Sequence, residues 1–150
     1  MDNAVDLSRF VKAHRADYER ALAEIRSGRK DSCWMWYIFP QVKGLSRSST
    51  SRYYAIESAE EARCFLADPY LGKNLREISA ALLPLETNRA RDVFWPPDDM
   101  KLRSCMTLFA NLPDTDPVFG QVLDKFFGGK PCGRTLRFLR EGSTGEDAEP

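Results

Sequence analysis

Apolar side chains recur at steps of three and four along most of this chain. Leu7, Phe10, Val11, Tyr18, Ala21, Leu22 and Ile25 form one such stripe, with His14 on the same face, and predict an amphipathic helix over residues 7–27. Asp6 is placed to cap its start and Gly28 to stop it. Ser58-Ala-Glu-Glu61 has capping-box spacing, and Ala62, Phe65 and Leu66 follow on one face before Pro69. Leu71, Leu75, Ile78, Leu82 and Leu83 predict a helix that ends at Pro84, and Thr87 or Asn88 caps a short turn through Phe94. Asp98 is placed to cap a helix carrying Leu102, Cys105, Met106 and Phe109. Asp116-Pro117 reads as a cap followed by proline at the first helical position, before an apolar stripe that ends at Gly128-Gly129. A last short helix covers residues 133–140.

Two stretches break this rhythm. Cys33-Trp-Met-Trp-Tyr-Ile-Phe39 is a dense aromatic run stopped by Pro40, and its length fits a short helix or an irregular segment. Residues 41–52 form a polar loop rich in hydroxyl groups. Six or seven short helices without strand alternation predict an all-α single domain, an orthogonal array over residues 1–140. Residues 141–150 are polar and acidic and are expected to be a disordered tail.

Composition narrows the classes. The 150 residues carry 22 Lys plus Arg against 22 Asp plus Glu, a formal net charge of zero, so the global field of a general nucleic-acid binder is missing. No apolar run approaches the roughly 18 residues of a membrane span, and the start of the chain lacks the pattern of a secretory signal, so the cytoplasm is the expected location. Cys33, Cys64, Cys105 and Cys132 stand far apart with a single histidine in the chain, a poor set for a metal site or a catalytic thiol. No metal, cofactor or disulfide is expected.

Three polar constellations lie beside aromatics. Trp34 and Trp36 at i and i+2 point about 200° apart on a helix, so one ring is expected in the core and the other facing outward or lining a cavity, where it offers a stacking surface. The segment that follows supplies Gln41, and the loop adds Ser48, Ser51 and Tyr54 beside Lys43, Arg47 and Arg52, groups that suit phosphate. The loop reads equally as a solvated surface. Asp99, Lys101 and Ser104 sit at the start of a helix, where free N–H groups favour anions, although Asp99 and Arg103 at i and i+4 have the spacing of a surface pair. His14, on an apolar face, reads as a satisfied core histidine.

Several strings occur in an order that resembles a known family. They are Ser32-Cys-Trp-Met-Trp-Tyr-Ile-Phe-Pro-Gln41, Gly44-Leu45 with Ser48 and Ser51 before Tyr54-Ala-Ile56, Pro69-Tyr-Leu-Gly72, Pro97-Asp-Asp-Met-Lys-Leu-Arg-Ser-Cys-Met-Thr-Leu-Phe109, and Phe127-Gly-Gly-Lys-Pro131. Over residues 7–140 the chain resembles the uncharacterised bacterial family called domain of unknown function eighteen-ten, sometimes labelled calpastatin. It departs at Cys33, where the family often shows histidine, at His14, where glutamine is usual, and at Cys105, in place of a typical serine. The family brings no established reaction. A weaker resemblance points to the NADAR superfamily, helical proteins tied to ADP-ribose and N-glycosidic hydrolysis, whose Glu-His pair this chain lacks.

The resemblance implies a small phosphorylated ligand, a ribose compound such as ADP-ribose, that is bound or hydrolysed. Trp34 or Trp36 would stack on the base, and Arg47 and Lys101 would hold phosphate. Glu61 or Asp99 would polarise water or stabilise an oxocarbenium ion. Gln41, Ser51, Tyr54, Asp99 and Lys101 are expected to share one pocket wall. The alternative is a non-catalytic protein-interaction module in which the aromatic run is core.

Overall fold

The structure, a computed structural model, describes residues 5–148, with side chains to residue 141. Among the described residues the chain forms nine helices and no strand. They are α1 (Ser8–Ser27), α2 (Met35–Ile38), α3 (Ser49–Tyr54), α4 (Ala59–Ala67), α5 (Leu71–Ala80), α6 (Ala90–Val93), α7 (Asp98–Ala110), α8 (Val118–Phe127) and α9 (Gly133–Ala148). The all-α class is as the periodicity predicts, but the count exceeds six or seven. The excess over seven comes from α3, inside the expected loop, and α6, inside the expected short turn, while α2 falls in the segment expected as a short helix or irregular; all three are too short to show a period. α3 occupies part of the expected loop, started by Ser48, whose hydroxyl accepts from Ser51 N at 3.1 Å. α9 runs past residue 140, and residues 149–150 of the expected tail lie outside the described residues.

Most helix ends follow their local chemistry, with small shifts. Gly28 takes φ +94°, and its N–H returns to Ile25 O at 2.9 Å to close α1. Asp6 and Asp116 each cap from one residue further out than expected, accepting from Ser8 N at 2.9 Å and Val118 N at 2.8 Å. Ser58 caps α4, while the Glu61 carboxylate reaches Glu57 N at 2.7 Å rather than the cap's own N–H. Asp98 is not a cap. It is the first residue of α7, and its carboxylate is committed to two lysines.

α7 is the axis of the core. It packs against α4, α6, α8 and α9, and Leu102, Cys105, Met106, Leu108 and Phe109 are buried around most of its circumference. Phe109 meets Phe65 of α4 at 5.6 Å and Phe119 of α8 at 5.8 Å between ring centroids. α4 and α5 approach so closely that a Cβ on Gly72 would stand 2.0 Å from Leu66 O, so only glycine fits there.

His14 lies wholly inside this packing. Its Nε2–H donates to Tyr37 O at 2.8 Å, and Nδ1 accepts from the Asn74 amide at 3.0 Å, which together select one neutral tautomer. Burial holds its pKa down to about 4, against the pull of the Tyr37 carbonyl and the Asp68 charge. An unfolded histidine titrates near 6.5, so between those values the unfolded chain binds the extra proton and the native state does not. Stability is therefore full above about pH 6.5 and falls by about 3 kcal/mol as pH drops to about 4. His14→Gln should flatten this part of the profile in urea denaturation, and an unchanged slope would refute the assignment.

Candidate functional site

The two tryptophans of the aromatic run part ways at α2. Trp34, just before it, is fully buried against Phe39 and Phe94 at centroid distances of 6.2 and 6.5 Å. Its indole N–H donates to Glu24 Oε1 at 2.8 Å. The same carboxylate accepts from Asp31 N at 2.7 Å, Ser32 N at 3.1 Å and the Ser32 hydroxyl. Burial pushes the Glu24 carboxyl up, but these bonds outweigh it and hold it below the usual range. Trp34 is thus a core residue with no face for a ligand. Trp36, two residues on, is only partly buried and lines a cleft.

The cleft has two chambers that share Trp36, Gln41 and Ser46. The first, about 310 Å³, is walled by Ser51, Arg52 and Tyr54 of α3 with Lys43 and Glu57. The second, about 440 Å³, lies between Lys101, Arg103 and Ser104 of α7 and Cys132 and Arg134 at the start of α9, with Ser48 also on its wall. Volumes of this order suit small ligands.

Backbone and arginine ties hold these walls in place. Ile56 N donates to Gln41 O at 2.9 Å and Lys43 N to Ile56 O at 3.0 Å, joining the turn at residues 41–44 to the chain after α3 in one parallel bridge. Gly44, at φ +91°, allows the turn. The Arg9 guanidinium holds Tyr53 O at 2.7 Å and Ala55 O at 2.9 Å, and meets Glu61 Oε2 at 3.0 Å. Arg103 donates to Lys130 O at 3.0 Å and Pro131 O at 2.9 Å, fixing the approach to α9, and Arg134 reaches back to Gly44 O at 3.1 Å.

Charge is concentrated at the junction. Lys101 Nζ sits 3.5 Å from the Trp36 ring centroid, a cation–π contact, and 3.1 Å from Asp98 Oδ1. Lys30 Nζ is 3.0 Å from Asp98 Oδ2, so one carboxylate serves two ammonium groups. These side chains are only 11–17% exposed, so water screens them poorly. Burial, then the neighbouring Tyr53 and Asp17, raise the Tyr54 hydroxyl above its ordinary pKa and keep it a donor on the first chamber's wall.

Of the residues that sequence reasoning singled out, Trp36, Gln41, Ser48, Ser51, Tyr54, Lys101 and Ser104 line the cleft. Gln41, Ser51 and Tyr54 share the first chamber, and Gln41 and Lys101 share the second. Trp34, Arg47, Glu61 and Asp99 line neither chamber. Arg47 is exposed on the loop. Glu61 has one oxygen on Glu57 N and the other on Arg9, which makes it a brace rather than a base. Asp99 is buried in the first turn of α7 with Oδ1 unpartnered among the described residues. It makes no pair with Arg103, whose donors serve backbone carbonyls instead. Arg134 carries no signal in the sequence, and Cys132 reads there only as a thiol without a second histidine to serve as its base. Neither belongs to a motif, and only the packing of α9 on α7 brings them to Lys101. Among the described residues, no group of three or more His, Cys, Asp or Glu side chains is placed to hold a metal ion.

Fold and cleft together define an all-α protein with a cationic cleft divided by a tryptophan. The chain belongs to the family described as Protein of unknown function (DUF1810), whose model matches residues 4–139. It is similar to a solved crystal structure, the conserved hypothetical protein Rv1873 from Mycobacterium tuberculosis. The identity is 40% over 90% of this chain and 96% of that one, with a TM-score of 0.87. No curated protein matches it.

The Glu24 carboxylate orients Trp34 and so turns Trp36 toward the cleft. Glu24→Ala would leave the Trp34 indole and the Asp31 and Ser32 N–H groups without their acceptor and should cost about 1–3 kcal/mol in urea denaturation. Arg47→Gln, on the exposed loop, should cost nothing measurable, and equal losses in the two variants would contradict this role for Glu24.

Proposed function

We propose that the cleft binds a small phosphorylated ligand, within the class of phosphorylated ribose compounds that includes ADP-ribose. The observation that carries this reading is the junction between the chambers, where the Trp36 ring lies under the Lys101 ammonium. Lys43 and Arg52 line one side, and Arg103 and Arg134 the other. An aromatic face flanked by cations suits a planar group joined to an anion. Ser46, Ser48, Ser51 and Tyr54 add hydroxyls for sugar or phosphate oxygens.

Binding is better supported than hydrolysis. Glu61 and Asp99 lie outside both chambers, and the one carboxylate lining the cleft among the described residues is Glu57. It is exposed and ion-paired with Lys43 at 3.5 Å. The interaction-module reading draws on Trp95 and Met100, which are 63% and 49% exposed near the start of α7. Trp95 lies under the Arg29 guanidinium at 4.2 Å much as Trp36 lies under Lys101, so that contact does not separate the two readings.

A thermal-shift series with ADP-ribose, ribose 5-phosphate and unphosphorylated adenosine tests the reading. Saturation at 100 times Kd adds about 2.7 kcal/mol, or roughly 5–10 °C for a chain of this size. The phosphorylated compounds should raise Tm, and adenosine should raise it little. Lys101→Met leaves Lys30 to neutralise Asp98, so the fold should survive while most of the shift is lost. No shift with any phosphorylated compound, or an equal shift in Lys101→Met, would sink the proposal.

A further inference from the structure

Cys132 lies on the wall of the second chamber and has no part in the ligand reading above. It immediately precedes α9, and its carbonyl accepts from Leu136 N at 3.1 Å, so its side chain stands at the N-terminal end of that helix. Its N–H is anchored to Thr107 Oγ1 at 2.8 Å, and the Ser104 hydroxyl lies 3.4 Å from Sγ and 3.2 Å from Met100 O, two acceptors that share its one proton. Burial pushes the thiol up, but hydrogen bonding from the Ser104 hydroxyl and the backbone N–H groups of Thr135 and Arg134 outweighs it, leaving the thiol below its ordinary range. The other thiols differ. Cys105 is buried, and burial pushes its thiol well up, while Cys33 and Cys64 line neither chamber.

Two further observations point to what this sulfur meets. Thr135 is fully buried beside it, and its hydroxyl has no partner of good geometry among the described residues. A negatively charged sulfur would be a much stronger acceptor for that hydroxyl than a neutral thiol. The second chamber is also one-sided in charge. Lys101, Arg103 and Arg134 line it, and among the described residues no acidic side chain does. A small molecule drawn to this thiol should therefore be anionic.

We propose that Cys132 is a thiol-modification site at which an anionic, low-molecular-weight disulfide held in the second chamber forms a mixed disulfide. The Cys132 thiolate attacks one sulfur of the incoming disulfide. The Sγ–S bond forms as the S–S bond breaks, and the leaving sulfur departs as a thiolate with the electron pair, so no other oxidant is needed. The adduct would fill the second chamber and exclude any ligand spanning the cleft. That consequence rests on the anion-binding reading, whereas the modification itself does not.

The test uses full-length protein carrying Cys33→Ser and Cys64→Ser, which leaves Cys132 and the buried Cys105. Dithiobis(nitrobenzoate), a dianionic disulfide, is compared with cystamine, a dicationic one, and a small, uncharged peptide thiol is treated with both as the control. Cys132 should favour the anionic reagent over the cationic one about tenfold or more strongly than the control peptide does, and raised salt should erase the preference. Mass spectrometry should place the adduct on the peptide holding Cys132, and Arg134→Gln should reduce the preference. Cys132→Ser keeps a capping side chain, so it should fold normally and lose the fast phase. A preference equal to the control peptide's, or a reduced Cys132 in wild-type protein whose other thiols are labelled, overturns the inference. If Cys132 reacts as described but no phosphorylated compound shifts Tm, the ligand reading fails and the modification stands. If such compounds bind while Cys132 stays inert, the reverse holds.

Discussion

A single carboxylate organises the part of the molecule that carries the candidate site. Near the end of α1, Glu24 gathers two backbone N–H groups, a serine hydroxyl and the Trp34 indole onto its two oxygens. Without that acceptor the indole would enter the core with an unsatisfied donor, a cost comparable to a lost hydrogen bond. With it, Trp34 is fully buried and the start of α2 is fixed. Helical geometry then sends Trp36 to the other side, where it divides the cleft. The site's central aromatic surface is thus set by a hydrogen-bond knot in the segment that leads into α2.

Two carboxylates, Glu61 from among the acids expected to do chemistry and Asp98 expected only as a cap, are used to position walls. Glu61 spans Glu57 N and Arg9, and Arg9 in turn holds the chain after α3, where Tyr54 lines the first chamber. Asp98 gathers Lys30 and Lys101, bringing one ammonium over Trp36. Both are largely removed from water, where losing a partner would leave an uncompensated charge.

Net neutrality conceals an uneven distribution. The chain has equal numbers of acidic and basic residues, yet five of the cations (Lys43, Arg52, Lys101, Arg103 and Arg134) line the cleft and Glu57 alone opposes them among the described residues. Local fields of this kind act over about a Debye length and depend on where charges sit rather than on their sum. The same distribution underlies both the phosphate reading and the environment of Cys132.

Sequence alone determined the helical class, most helix positions, the burial of His14 and the divergence of two tryptophans at i and i+2, because these follow from local periodicity and from capping chemistry within a few residues. It did not reveal α3 and α6 as helices and left α2 open between a short helix and an irregular segment, since one turn or so carries too little periodicity to register. Nor could it show that Glu61 is a brace, that Asp99 lies outside the cleft, or that Arg134 and Cys132 face Lys101. Hydrogen-bond partners and charge neighbours of that kind come from helix ends far apart in the chain. Only the packing of α9 against α7, and of α1 against α2, brought them together.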